Sequence, residues 1–148
     1  MKTSALFRIG AIALFILATG HTFLGIIFAH PHNPEIVSVI NSMKACHVDM
    51  NGAKRTVWDA YYGMGLVMGA LIYVLAGIAW VLGRRSEQAS AEFGALTMLV
   101  VAGSLALALL SVFYFFALPA VLSLVAAAFC GAGWFSHRVG RTVTETVG

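Results

Sequence analysis

Four long apolar segments, almost free of charged residues, constrain the fold of this chain more than any other feature. They run from about 7 to 29, 57 to 82, 93 to 118 and 119 to 135. A helix of about 20 mostly apolar residues crosses the hydrocarbon core of a bilayer. Because that core holds no water, backbone groups must bond to one another, which requires helix here. The sequence therefore predicts four transmembrane helices.

The composition excludes an ordinary soluble domain. Hydrophobic residues make up 60% of the chain and charged residues 10%, whereas a soluble domain carries roughly 25% charged residues. The nine Lys and Arg residues are scattered, so no nucleic-acid partner is expected. We predict one all-α membrane domain over residues 1–148, an antiparallel four-transmembrane-helix bundle whose surroundings are the lipid bilayer.

The distribution of basic residues predicts the orientation of the helices. Cytoplasmic loops carry an excess of Lys and Arg. Six of the nine basic residues fall on one side of the predicted membrane: Lys2, Arg8, Arg84, Arg85, Arg138 and Arg141. We therefore expect both termini in the cytoplasm, the loop 30–56 outside, a polar tail over 136–148, and a location in the inner (plasma) membrane.

The ends of the apolar segments carry further signals. Ala18-Thr19-Gly20 weakly resembles a signal-peptide cleavage site, but the apolar run continues to about residue 28, which favours a retained helix. Leu118-Pro119 is the whole turn predicted between the third and fourth spans, so these two helices should pack as antiparallel neighbours. The spacing Gly65-x-x-x-Gly69 predicts close helix contact.

The loop 30–56 is predicted to hold an amphipathic helix over 34–50. Asn33-Pro34-Glu35 is a typical helix start, and Asn51-Gly52 is interpreted as its end. Five residues recur at helical spacing between them and form one face: Ile36, Ile40, Met43, His47 and Met50. We expect this helix to lie over the outer mouth of the bundle as a lid.

The same face also suggests a metal site. Met43, Cys46, His47 and Met50 would place thioether, thiol and imidazole groups at i, i+3, i+4 and i+7. Such soft ligands suit Cu(I), which predicts outward-facing copper handling. The alternative is that these side chains only dock the helix, because Met is a common filler of apolar contacts.

Among the His, Asp, Glu, Lys and Arg residues, His21 is the only one that lies deep in a predicted span. With the first span centred near residue 18 or 19, it lies about 3–5 Å from the midplane at 1.5 Å per residue. Polar groups at that depth are candidates for function, and His21 would anchor a lipid or quinone in an outer pocket. The predicted ligand-binding residues are His21, Thr22, Trp58, Asp59, Tyr62, Ser104, Ser111 and Tyr114. The alternative is a structural histidine bonded to a neighbouring helix, with Ser104 as its partner.

Asp59 has a second interpretation, in which it caps the second span and forms a structural ion pair with Arg55 four residues earlier. Enzymatic activity is disfavoured, because the sequence contains no C-x-x-C, H-E-x-x-H, phosphate loop or hydrolase elbow. No resident cofactor is predicted beyond a bound lipid or quinone.

The residues Gly52–Leu66 resemble an uncharacterised group of small bacterial four-helix membrane proteins. Their shared pattern is G-x-x-R-[ST]-x-W-D-x-Y-x-G-x-x-L, and the group also has a His-Thr pair in its first span, here His21-Thr22. The first helix is similar, more loosely, to that of DoxX-type proteins, through Arg8, Gly10, Phe15 and Gly20. The resemblance implies a four-helix membrane fold. For the DoxX type it also implies proximity to quinone-linked sulfur oxidation.

Three functions remain open on the sequence alone. The first is binding of an apolar or amphipathic small molecule in the outer half of the bundle. The second is an accessory subunit of a larger membrane (redox) complex, without a ligand of its own. The third is copper handling in the loop 30–56. Partners other than the bilayer would be a membrane complex or a second copy of the chain.

Overall fold

The computed structural model describes the backbone of residues 2–27, 29–86 and 91–147 and the side chains of 2–27, 29–86 and 92–138. Helix α1 continues directly into a π-helical segment, and a short helix and a hairpin precede three long helices. In chain order the elements are α1 (Thr3–Thr19), the π-helical segment (Gly20–Ile27), α2 (Pro34–Ala45), β1 (His47–Met50), β2 (Ala53–Thr56), α3 (Val57–Arg84), α4 (Ala91–Tyr114) and α5 (Ala117–Val147).

The four predicted spans are confirmed. Stretches long and apolar enough to cross a membrane are Thr3–Ile27, Val57–Arg84, Glu92–Tyr114 and Ala117–Arg138. Many large apolar side chains along them face outward, among them Leu24, Met64 and Val112. Water-surrounded proteins rarely expose so much contiguous apolar surface. The chain is a helical, multi-pass membrane protein whose outer surface suits lipid.

One compact unit comprises Met1–Leu17 and Ile72–Gly148. Phe7 is fully buried at its centre and meets Phe93 edge to face, with ring centroids 5.5 Å apart. Glycine makes room for that ring: a Cβ at Gly133 would lie 2.8 Å from it. Small residues therefore let the helices of this unit approach closely around one aromatic side chain.

Helices α4 and α5 pack against each other as predicted, but their turn lies elsewhere. It falls at Phe115–Phe116, and the amide of Phe115 donates to the carbonyl of Ser111 at 3.0 Å. Pro119 is the third residue of α5 rather than part of the turn. Proline is tolerated there because the first-turn amides of a helix have no intrahelical acceptor.

The second compact unit is Ala18–Leu71, and the predicted helix over 34–50 is only partly right. Its start is confirmed: the Asn33 side chain accepts a bond from the amide of Glu35 at 2.9 Å, with Pro34 at the first position. The helix ends at Ala45, well before residue 50. None of its residues is buried, so the structure does not show it docked along its length.

The residues that follow α2 form a β-hairpin instead of two further helical turns. Strands β1 and β2 pair antiparallel, from His47 opposite Thr56 to Met50 opposite Ala53. Asn51 (φ 54°) and Gly52 (φ 87°) form the turn. Two successive positive φ values define the tight hairpin turn that an Asn-Gly pair favours. This pair, interpreted from the sequence as the end of a helix, is the turn between two strands.

Candidate functional site

His21 lies in the π-helical segment and bonds to the backbone of α3. Its Nε2 donates to the carbonyl oxygen of Gly65 at 3.0 Å. The π-helix is rare and often marks a functional position in a longer helix. The imidazole therefore has a main-chain partner, as the structural interpretation of this residue requires, but through a carbonyl rather than the hydroxyl of Ser104.

Gly65 and Gly69 form the surface of α3 that receives this segment. A Cβ at Gly65 would lie 2.5 Å from the Ile26 Cδ1, and one at Gly69 would overlap the Thr22 hydroxyl. The Cδ2 edge of the His21 ring is also close, at 3.6 Å from the Gly69 Cβ position. The predicted contact role of the G-x-x-x-G spacing is thus confirmed, and it fixes the ring against α3.

The bond to Gly65 determines which nitrogen of His21 carries the proton. A carbonyl oxygen only accepts, so Nε2 must be the N–H, and in the neutral ring Nδ1 then holds a lone pair. Nδ1 has no hydrogen-bond partner among the described residues, and it is not enclosed. Beside it in sequence, the Thr22 hydroxyl is buried without a partner in the described part of the chain.

His21 lies further from the centre of its span than predicted. The span begins at Thr3 rather than residue 7 and ends at Ile27, so its middle is Phe15. At 1.5 Å per residue, His21 is roughly 9 Å from that middle residue along the axis, not 3–5 Å. A ring at this depth is within reach of the polar part of an amphipathic molecule whose tail lies in the bilayer core.

Trp58 and Tyr62 lie in an aromatic cluster at the start of α3. The Trp58 ring centroid is 5.8 Å from that of Tyr61 and 6.1 Å from that of Tyr62. The ammonium group of Lys44, at the end of α2, lies 5.4 Å from the Trp58 ring centroid. Aromatic side chains with a nearby cation are typical of a membrane–water interface, so this end of α3 suits the headgroup region.

Asp59 caps α3, as predicted, but its partner is Thr56. The Asp59 carboxylate accepts from the amide of Thr56 at 2.9 Å, and the Thr56 hydroxyl accepts from the amide of Asp59 at 3.0 Å. This reciprocal pair satisfies two donors at the helix start. Arg55 does not form the predicted ion pair in the described structure; its Nη1 donates to the carbonyl of Lys54 at 3.4 Å.

The other predicted pocket residues belong to the unit Met1–Leu17 and Ile72–Gly148 and are described there separately. The Ser104 hydroxyl is fully buried and has no partner among the described residues. Ser111 donates to the carbonyl of Leu107 in its own helix at 2.6 Å. Tyr114 is 77% exposed, so its side chain does not line an interior pocket of this unit.

The predicted helical arrangement of the copper ligands is not formed, because the helix that would carry it ends at Ala45. Met43 is on α2 and Cys46 caps its end, whereas His47 and Met50 are on β1. Three residues apart on a strand, His47 and Met50 point to opposite faces. The His47 Nδ1 donates to the carbonyl of Ala45 at 3.0 Å. No group of three His, Cys, Asp or Glu residues that could hold a metal ion occurs in the described part of the chain.

Sequence reasoning missed two features of the site. The first is the π-helical segment, whose weak signal is a pair of glycines, Gly20 and Gly25, five residues apart and poor in helix propensity. The second is the Gly65 carbonyl, a backbone atom that no residue type marks. The π-helical segment and the Gly65 carbonyl are therefore visible only in the structure.

Comparison of the chain with protein-family models, with curated proteins and with solved structures finds no match.

Proposed function

We propose that this protein is a bacterial inner-membrane protein, with both termini in the cytoplasm, that binds an amphipathic molecule at His21 in the outer half of the membrane. The observation that supports it is the second ring nitrogen. Nδ1 is accessible and unpartnered among the described residues while Nε2 is held by Gly65. An acceptor left unpaired in an apolar environment costs about 1–3 kcal/mol.

The chemistry of Nδ1 narrows the class of ligand. A lone pair takes a hydroxyl or ammonium donor and cannot bond to a carbonyl. The favoured ligand is therefore a hydroxyl-bearing lipid or a quinol, rather than the carbonyl of an oxidised quinone. Met64 and Met68 are exposed next to the two glycines on α3. Their flexible thioethers supply an adaptable apolar wall for such a ligand.

Two variants of His21 separate a binding role from a structural one. In His21→Gln the amide nitrogen falls near the Nε2 position, so the bond to Gly65 can persist while the Nδ1 acceptor is lost. In His21→Asn the amide falls near Nδ1, and the bond to Gly65 is lost. We expect His21→Gln to keep the thermal stability of the parent. Its affinity for the bound molecule should fall about tenfold, the effect of losing one hydrogen bond of about 1.4 kcal/mol.

The measurement is mass spectrometry of small molecules extracted from protein purified in a mild detergent. His32→Gln, an exposed histidine outside the predicted spans, is the matched control and should retain the molecule. Equal amounts of every small molecule in the parent and His21→Gln would contradict the proposal. His21 would then have only the structural role that its bond to Gly65 supports.

The alternative proposal is an accessory subunit of a larger membrane complex, the function that small uncovered helix faces support. A Cβ at Gly131 on α5 would meet no described atom within 4 Å, so a partner helix could approach there closely. Affinity purification under mild conditions tests it. A stable partner that co-purifies with the parent and is lost in Gly131→Leu would favour this alternative. Purification of the chain alone from both the parent and Gly131→Leu would exclude it. Membership of the four-helix group resembled by Gly52–Leu66 likewise remains a proposal.

A further inference from the structure

An open groove of about 410 Å³ lies between α3 and α4, within the unit Met1–Leu17 and Ile72–Gly148. It is separate from the His21 site in residues and in unit. Along most of its length the lining is apolar, and its charged members are at one end. The residues that matter here are Gly77, Ile78, Val81, Arg85, Glu92 and Leu96.

The dimensions of the groove suit a hydrocarbon chain. On α3 the lining runs from Val74 to Arg85, which is about 16 Å of helix at 1.5 Å per residue. Gly77 keeps the middle open, because a Cβ there would meet no described atom within 4 Å. Because this helix is long and apolar enough to span the membrane, lipid tails adjoin it and can fill the opening.

The charge at the end of the groove selects the headgroup. Arg85 lines that end of the groove and is exposed. Glu92 contributes the one carboxylate among the groove residues. Arginine forms paired hydrogen bonds to phosphate, and basic pockets between spanning helices bind anionic headgroups.

We propose that this groove binds an anionic phospholipid, with one acyl chain along Gly77 and Val81 and the phosphate at Arg85. The site requires both parts of the lipid. A tail without a headgroup leaves the Arg85 guanidinium without a partner among the described residues, and a free phosphate gains nothing from the apolar lining. The proposal does not depend on the orientation of the helices or on a ligand at His21.

Native mass spectrometry with added lipid tests the proposal on the full chain. The probes are phosphatidylglycerol and phosphatidylcholine with the same acyl chains. We expect phosphatidylglycerol to bind more tightly, and Arg85→Gln to weaken it about fivefold, the effect of one basic residue near a lipid surface. Arg84→Gln removes an equal charge from an exposed neighbour that does not line the groove, and should change binding little.

Two further variants test the acyl part of the site. Gly77→Leu and Leu96→Trp fill the groove from its two walls, and each should weaken both lipids. The second variant is needed because Gly77 also borders another groove, against α1. Val112→Trp, at an exposed position of α4 that does not line the groove, is the control. Equal losses in Arg84→Gln and Arg85→Gln, unchanged binding in both filled variants, or displacement of the lipid by inorganic phosphate alone would each overturn the proposal.

Discussion

The absence of a side chain at two positions decides how His21 is held. Gly65 exposes its carbonyl to Nε2, and Gly69 leaves space for Thr22. A side chain at either position would press on the π-helical segment, at Gly65 on Ile26 and at Gly69 on Thr22. The imidazole, the threonine and the two glycines therefore act together, although only His21 and Thr22 were predicted to form a site.

Alanine substitutions at three glycines of α3 should rank in a fixed order of stability. A Cβ at Gly69 meets the Thr22 side chain, which is β-branched and stiff, so Gly69→Ala should destabilise by about 1–3 kcal/mol. At Gly65 it meets the flexible end of Ile26, which can shift at a smaller cost. Gly63→Ala meets no described atom within 4 Å and should be neutral or stabilising, by up to about 1 kcal/mol.

The measurement is thermal unfolding of each variant in the same detergent. Gly63→Ala serves as the control for the change in helix propensity. Similar melting temperatures for Gly63→Ala and Gly69→Ala would mean that the π-helical segment does not press on α3, and the geometry assigned to His21 would be wrong.

At the scale of single elements, the hairpin shows how two local signals compete. Five residues from Ile36 to Met50 fit a helical period, but five are a small sample. An Asn-Gly pair between two short runs is a strong hairpin signal. The Gly52 amide also donates to the Asp49 carboxylate at 2.6 Å. Turn chemistry prevails because both turn residues adopt φ values that a helix excludes.

Gly52→Ala should loosen this hairpin without affecting the spans. Its φ of 87° costs a residue with a Cβ about 1–2 kcal/mol. A two-stranded hairpin is marginal alone, so we expect faster hydrogen exchange at the amides of residues 53–56 and no change in overall helix content. Asn51→Gly keeps a turn that tolerates positive φ and is the control. Unchanged exchange in Gly52→Ala would show that other contacts hold the strands together.

The sequence predicts the elements whose signal lies in residue type and misses those whose signal lies in backbone geometry. The four spans, the Asn33 start of α2 and the capping role of Asp59 follow from hydropathy and side-chain chemistry. The π-helical segment does not, because α- and π-helix have the same hydropathy requirement. The partner of His21 could not be predicted either, since it depends on which face of the segment meets Gly65.

For the whole molecule, the distribution of charged residues and the exposure of apolar side chains both fit helices that cross a membrane. Apolar side chains cover the outward surface of the spans. Arg84 and Arg85 are exposed at the end of α3, and Arg138 is exposed beyond the apolar part of α5. The segment between α1 and α3 has fewer basic residues over more chain. By the positive-inside rule, we propose that this segment lies outside the cell membrane.

The two free cysteines allow this orientation to be measured. Cys46 is exposed in the segment between α1 and α3, and Cys130 is buried in α5. A maleimide that cannot cross the inner membrane should label the protein in intact cells, and Cys46→Ser should abolish the labelling while Cys130→Ser leaves it. In a chain lacking both native cysteines, Ser136→Cys, at an exposed position near the end of the fourth span, should react only after the membrane is opened. The reverse pattern would place both termini outside, and the His21 site would then lie in the cytoplasmic half of the bilayer.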